Sequence, residues 1–171
     1  MSILERTFFP LAIFFTVLFG IWLGVRVTNS IMFSMNCADY IKRATSANTV
    51  EMAKRELAKA IDYAERKNLT EGIVSIFLKQ PKNDIGFWYE NMKAGYEELD
   101  NLREDTTSLE KTNVLMKLRE SLTDSNDKGT SVTVPDGITV YPYNVVYFIW
   151  GFGTFLLMIV FWGVLLIDLL E

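Results

Sequence analysis

The chain has 171 residues, a formal net charge of −4, no His and a single Cys. The lack of His excludes Ser–His and Cys–His catalytic pairs and three-His metal sites, and one Cys allows neither a Cys₄ zinc site nor an internal disulfide. Half of the residues are hydrophobic, and they are concentrated in two uncharged stretches near the ends.

The first uncharged stretch is residues 8–25, bounded by Arg6 and Arg26 after a short tail, residues 1–7. A helix rises about 1.5 Å per residue, so this stretch nearly crosses a hydrocarbon core about 30 Å thick. It predicts a transmembrane helix that stays as an anchor, because no small-residue cleavage site follows it. Gly20 and Gly24 form a G-x-x-x-G spacing, which indicates a helix contact or only the frequency of Gly in membrane helices.

Residues 26–130 predict an extramembrane helical bundle, in which the first helix continues from the span. Capping residues and apolar periodicity define its helices. The predicted segments are a continuation over 27–44, a helix from the Asn48/Glu51 capping box to about Lys67, a short helix over 71–78, a helix over 85–103 capped by Asp84, and a helix from the Thr107/Glu110 capping box to about Thr123. Their apolar positions are expected to pack together as one core.

Residues 131–143 predict a β-hairpin. Alternating residues 131–134 and 138–141 flank Pro135, Asp136 and Gly137, which are typical turn residues. A lone hairpin is marginally stable in water, so we expect it to pack on the bundle, the membrane surface or another copy.

The second span is predicted over residues 144–167, before a tail at 168–171, because residues 145–167 carry no charge. Aromatic residues near its ends predict a belt at the membrane interface. The belt residues are Tyr141, Tyr143, Tyr147, Trp150 and Trp162. Gly151 and Gly153 are predicted to serve helix packing. The fold class is therefore a mainly α membrane protein, with two transmembrane helices flanking a small helical bundle and a short hairpin before the second span.

Three aromatic residues of the bundle, Trp88, Tyr96 and Tyr63, are candidates for a ligand or docking surface, although core packing is the favoured interpretation. No phosphate-binding glycine motif occurs, and residues 124–135 resemble a calcium loop but place Lys128 and Pro135 at ligand positions. We therefore predict no catalytic residue, no cofactor and no metal. The interspersed charges of residues 26–144 do not indicate nucleic-acid binding.

These features predict a non-enzymatic accessory or scaffold protein, which associates with copies of itself or with other membrane subunits through its spans, bundle and hairpin. The alternatives are a helical-bundle sensor or ligand-binding protein that relays laterally to a partner, and an oligomeric pore. The short N-terminal tail favours cytoplasmic termini and an extracytoplasmic bundle, whereas Arg26, Lys42 and Arg43 favour the opposite orientation. We expect the first arrangement.

Overall fold

The computed structural model describes residues 3–77, 79–103, 105–126 and 129–170. For residues 3–5 and 126 it describes the backbone only. The described chain is mainly helical with one two-stranded sheet. It forms two compact units, which are described separately. One unit comprises Met1–Ser30 and Tyr143–Glu171, and the other comprises Ile31–Pro142.

The first unit consists of two long apolar helices. Helix α1 is Ile3–Phe33, of which the part up to Ser30 belongs here, and helix α6 is Asn144–Leu170. Both are long and apolar enough to cross a membrane, and few of their side chains are buried. The helices are longer than the predicted spans, since they take in residues from both predicted tails. The remaining tail residues 1, 2 and 171 lie outside the description.

The second unit begins at the end of α1. A π-helical turn, Ser34–Ala38, leads directly into helix α2, Asp39–Thr45. Their buried residues include Cys37 and Ile41, neither of which is accessible to solvent. Residues 27–44 are therefore helical, as their periodicity predicts. The π-helical turn within them is not visible in the sequence pattern.

Three further helices complete the bundle. They are α3, Val50–Arg66, α4, Ile85–Asp100, and α5, Ser108–Leu122. Asp84 accepts a hydrogen bond from the Phe87 N–H, and Thr107 and Glu110 form a reciprocal capping box, so both of these predicted starts are confirmed. The predicted Asn48 cap is wrong by one residue, because the Thr49 side chain accepts from the Met52 N–H instead.

The predicted short helix over 71–78 is wrong for its described residues, and Leu78 lies outside the description. Gly72 has φ +107°, a left-handed value that interrupts a helix. The backbone beyond it pairs with the chain before α4: the Val74 N–H donates to the Asn83 carbonyl at 3.0 Å, and the Ile85 N–H donates to the Gly72 carbonyl at 2.8 Å. The apolar segment is thus held by a local bridge instead of an i to i−4 ladder.

The core of the second unit lies between α2, α3, α4 and α5. Its largest fully buried side chains are Ile41, Leu57, Ile85, Met92, Leu99, Leu122 and Cys37. Gly95 brings α4 close to α5, because an added Cβ there would overlap Leu118. The predicted apolar faces are largely buried, but Ile31, Met35 and Leu109 are 52%, 61% and 71% exposed. Leu109 lies in the first turn of α5, where capping residues set the helix start.

The sheet is shifted towards the N-terminus relative to the predicted hairpin and shares only residues 131 and 132 with it. Strand β1, Thr123–Asn126, pairs antiparallel with β2, Gly129–Val132, and Thr123 lies opposite Val132. The predicted second strand is wrong, since Ile138–Val140 forms a 3₁₀ turn with Ile138 and Val140 buried. Gly137 precedes that turn at φ +91°. The loop that resembles a calcium-binding loop in sequence includes residues 127 and 128, which lie outside the description.

Candidate functional site

An aromatic seam joins α1 and α6 within the first unit. Phe15 stacks on Phe161 with ring centroids 5.4 Å apart, and Phe19 contacts Phe155 at 5.4 Å. Beside the Phe15–Phe161 pair the Trp162 indole N–H donates to the Thr16 hydroxyl at 3.0 Å. Contacts further along α1 involve residues earlier in α6, so the two helices run antiparallel. Large aromatic rings, and not paired glycines, fill the space between them.

A closer contact, which we call the Trp22 latch, fixes the register of this pair. The Trp22 indole N–H donates to the Tyr147 carbonyl oxygen at 2.8 Å. The indole ring lies directly over Gly151, where an added Cβ would overlap it. The Asn29 amide also donates to the Tyr147 hydroxyl at 3.5 Å. Gly151 therefore makes room for a tryptophan from the opposite helix, and this tryptophan was not singled out from the sequence.

The glycine pair Gly20 and Gly24 takes no part in the seam. An added Cβ at either position meets no heavy atom of the described chain within 4 Å, and the same holds for Gly153. Gly20 and Gly24 each lie two residues from Trp22, which is about 200° around a helix. They therefore form an open strip on the side of α1 that is turned away from the latch. We call this strip the Gly20/Gly24 face.

The predicted aromatic belt is divided between the two units. Tyr143 is exposed, and Tyr147 packs on Trp150 with ring centroids 6.0 Å apart. Trp162 contacts Phe9 edge to face at 6.4 Å. Tyr141, in contrast, belongs to the second unit, where its phenol closely approaches Gly72. Tyr141 thus packs on the bundle.

The three aromatic candidates of the bundle have different surroundings in the described chain. The ring of Tyr63 lies 6.1 Å from that of Phe33, and Tyr96 lies under the Lys54 ammonium at 5.8 Å. Trp88 is only 5% exposed, yet its indole N–H is buried without a hydrogen-bond partner in the described chain. Trp88 lines a sizeable cleft to which neither Tyr63 nor Tyr96 contributes.

The cleft, which we call the Trp88 cleft, has a volume of about 410 Å³. Its walls come from the 3₁₀ turn Pro81–Asn83, the first turns of α4, the end of α5 and the segment after β2. The lining is mostly apolar and includes Phe87, Trp88, Leu122 and Pro135. Phe87 is 63% exposed, a high value for so large an apolar side chain.

The residues predicted as a hairpin turn form part of this cleft and its rim. Pro135 lines the cavity, and the next residue, Asp136, pairs with Lys82 at 3.7 Å. Both charged side chains are mostly exposed, so the pair contributes at most about 1 kcal/mol. Gly137 needs its left-handed conformation to start the following 3₁₀ turn. The turn chemistry was thus recognised in the sequence, but its role was misassigned.

A cluster of charged side chains lies around Glu56 of α3, which is 2% exposed. Lys59 and Arg55 approach one carboxylate oxygen at 3.1 and 3.3 Å, and Arg43 of α2 approaches the other at 3.2 Å. Burial by itself raises the pKa of Glu56, but the hydrogen bonds and the positive charges together outweigh it. The pKa therefore lies below its ordinary value of 4.5. The cluster ties α2 to α3.

The sites that the sequence reading missed share a cause. Trp22, Glu56 and Asn91 lie in helices that were recognised, but each faces residues of another segment: Trp22 bonds to α6, Glu56 pairs with Arg43 of α2, and Asn91 lines a cleft shared with the end of α5. Periodicity shows that Glu56 falls beside Leu57 and Ala60, and that was the available signal for a buried charge. Within the described ranges, no group of three or more His, Cys, Asp and Glu side chains is arranged to hold a metal ion.

No protein-family model, curated protein or solved structure matches this chain. The function must therefore be inferred from the geometry of the two units themselves.

Proposed function

We propose that the chain is a two-pass integral membrane protein with a non-enzymatic accessory or scaffold role. It associates with another membrane helix, from a second copy or from a different subunit, through the Gly20/Gly24 face. The observation that carries this proposal is the open glycine strip on an apolar helix whose other side is occupied by α6. Two glycines one turn apart let a second helix backbone approach closely.

The exposed apolar surface of α1 and α6 supports a lipid environment. Residues such as Phe14, Val17 and Ile21 are about half exposed, which is unfavourable in water for a surface of this extent. Lipid chains would cover these side chains. The paired helices also satisfy their own backbone groups, as spanning segments must.

The proposed orientation places both termini in the cytoplasm and the bundle on the opposite side of the membrane. Two antiparallel crossings return the chain to the side on which it began, so the two ends share a side. The segment between the crossings then forms the extracytoplasmic unit.

A second candidate function is ligand binding by the bundle, with the signal passed laterally to a partner. The Trp88 cleft favours it, because its volume lies within the range of small-ligand sites, about 300–1,000 Å³.

The proposal is tested by the double substitution Gly20→Ile and Gly24→Ile in the full chain. The tagged chain is extracted from its membrane in mild detergent, and the particle mass is measured by size-exclusion chromatography with light scattering. We expect the double variant to lose bound protein mass, because branched side chains hold the helices apart.

The matched control is Gly163→Ile on α6, where an added Cβ also meets no described atom within 4 Å. It adds one side chain of the same kind to the other helix and should leave the particle mass unchanged. An unaltered particle in the double variant would rule out the Gly20/Gly24 face as the contact.

A further inference from the structure

A small polar cleft lies where the ends of α2 and α5 meet the sheet. We call it the Lys42/Arg119 cleft, and its volume is about 290 Å³. The cations Lys42 and Arg119 line it together with hydroxyl groups such as those of Ser46 and Thr130, and no Asp or Glu of the described chain does. Ligand sites usually measure about 300–1,000 Å³, so this cleft fits a small group.

The positive charges of the cleft are not neutralised within the described chain. Neither Lys42 nor Arg119 forms an ion pair with a described carboxylate. The Arg119 Nε–H donates to the Thr45 carbonyl at 2.9 Å, which holds the guanidinium and leaves both terminal nitrogens without a described partner. Two like charges in one cleft repel each other, so an anion between them would bind favourably.

The register of the sheet turns the acidic residue of β1 away from the hydroxyl groups of the cleft. Thr130 and Val132 lie two residues apart on β2 and share a face, and Thr123 lies opposite Val132 on the same face. All three line the cleft. Asp124 follows Thr123 directly, so it lies on the other face of the sheet.

The carbonyl groups at the two helix ends are already bonded, although their partial negative charge would otherwise oppose an anion. The Thr45 carbonyl accepts the Arg119 Nε–H. The Lys42 carbonyl accepts the Ser46 N–H at 3.1 Å, and the Arg119 carbonyl accepts the Thr123 hydroxyl at 2.7 Å. The unused polar groups that remain in the cleft are therefore mainly donors.

We infer that the Lys42/Arg119 cleft binds a phosphate group. The terminal nitrogens of Arg119 donate a pair of hydrogen bonds to phosphate oxygens, and the Lys42 ammonium supplies a second positive charge. The Ser46 and Thr130 hydroxyls can donate to the remaining oxygens. Two positive charges with no described carboxylate in the lining complement a phosphate dianion better than a singly charged carboxylate. The inference goes beyond the proposed function, since it does not depend on helix association.

The test is isothermal titration calorimetry of the full chain in an uncharged detergent, with inorganic phosphate as the probe at near-neutral pH and fixed ionic strength. We expect saturable binding of one phosphate per chain. Acetate carries a single negative charge and offers a planar pair of oxygens, so it should bind at least about tenfold more weakly.

Two variants and one control make the test specific to the cleft. Lys42→Gln should weaken phosphate binding by about fivefold, and this exposed side chain has no described partner whose loss would disturb the fold. Arg119→Lys keeps the charge but loses the forked geometry, so it should weaken binding by a similar factor. Lys93→Gln removes the same charge from an exposed position of α4 outside the lining, and it should leave binding unchanged.

The phosphate group could belong to a free ion or to a lipid headgroup, and nanodiscs distinguish these sources. The chain is placed in phosphatidylcholine discs that contain equal fractions of either phosphatidic acid or phosphatidylglycerol. Weaker binding of inorganic phosphate in the phosphatidic acid discs would support the inference with a lipid phosphate as the occupant. Equal binding in both would support it with a free phosphate.

Three results would overturn the inference: no saturable binding of phosphate, equal affinities of Lys42→Gln and Lys93→Gln, or acetate binding as tight as that of phosphate. The second result would show that phosphate responds only to the overall charge of the chain. The third would show a site without preference for phosphate.

Discussion

At the scale of single residues, Glu56 shows how the bundle accommodates a buried charge. The carboxylate is almost inaccessible, whereas its three partners, Arg43, Arg55 and Lys59, keep their charged ends partly in water. Folding therefore removes mainly the Glu56 carboxylate from water, and cationic side chains contact both of its oxygens. The arrangement connects α2 and α3 and requires the carboxylate to remain ionised.

We predict that Glu56→Gln lowers the free energy of unfolding of the bundle by about 1–3 kcal/mol, because a neutral amide forms weaker bonds to the three cations. Urea unfolding of the full chain in detergent, followed by far-UV circular dichroism, measures this change. Glu120→Gln on the exposed side of α5 serves as the control. Equal stability of Glu56→Gln and Glu120→Gln would show that the cluster contributes nothing.

The lowered pKa of Glu56 also predicts an acid dependence. A carboxylate with a depressed pKa in the folded state stabilises that state fully above its ordinary pKa of 4.5. The stabilisation is then lost as the pH falls through the lower folded-state pKa. The stability difference between the unmodified chain and Glu56→Gln should shrink below pH 4.5, and a difference that stays constant would contradict the assignment.

At the scale of elements, pattern and capping located most helices, but pairing between elements was harder to predict. The caps at Asp84 and Thr107 depend on residues within one turn, so the sequence alone predicts them. The sheet was missed because β1 and β2 are mostly polar and lack alternation. The apolar alternation at Ile138 and Val140 reflects burial in a 3₁₀ turn.

The Trp22 latch is the element-scale contact most open to test. We predict that Gly151→Ile destabilises the α1–α6 pair by about 1–3 kcal/mol, because the new side chain overlaps the Trp22 indole. Thermal loss of the near-ultraviolet circular dichroism of the aromatic seam, in detergent, measures it.

Gly153→Ile is the matched control for the latch, since the space around Gly153 is open in the described chain. The two glycines lie two residues apart on the same helix and differ mainly in what faces them. If both variants melt alike, the latch does not stabilise the pair.

At the scale of the whole molecule, the sequence predicted two apolar helices with a helical unit between them. Hydropathy and length reveal such helices without any tertiary information. Which side of α1 meets α6 was not predictable, because both the glycine strip and the aromatic strip are typical of helix contacts. The Trp88 cleft was equally hidden, since its walls come from four separate segments.

The proposed orientation is tested directly by labelling an added thiol, because the natural thiol is buried and gives little background. Cys37 is fully buried and is the only Cys in the chain, so a single added thiol reports its own side of the membrane. Glu120→Cys on exposed α5 should react with a membrane-impermeant maleimide in intact cells. Labelling that appears only after lysis would place the bundle in the cytoplasm.

The central claim is that this chain works as part of a larger membrane assembly. The most direct measurement is the mass and protein content of the particle released gently from its native membrane. The account predicts a particle with more protein mass than the 19.6 kDa of one chain, containing further copies or other membrane subunits. A particle containing a single chain and no other protein would contradict it.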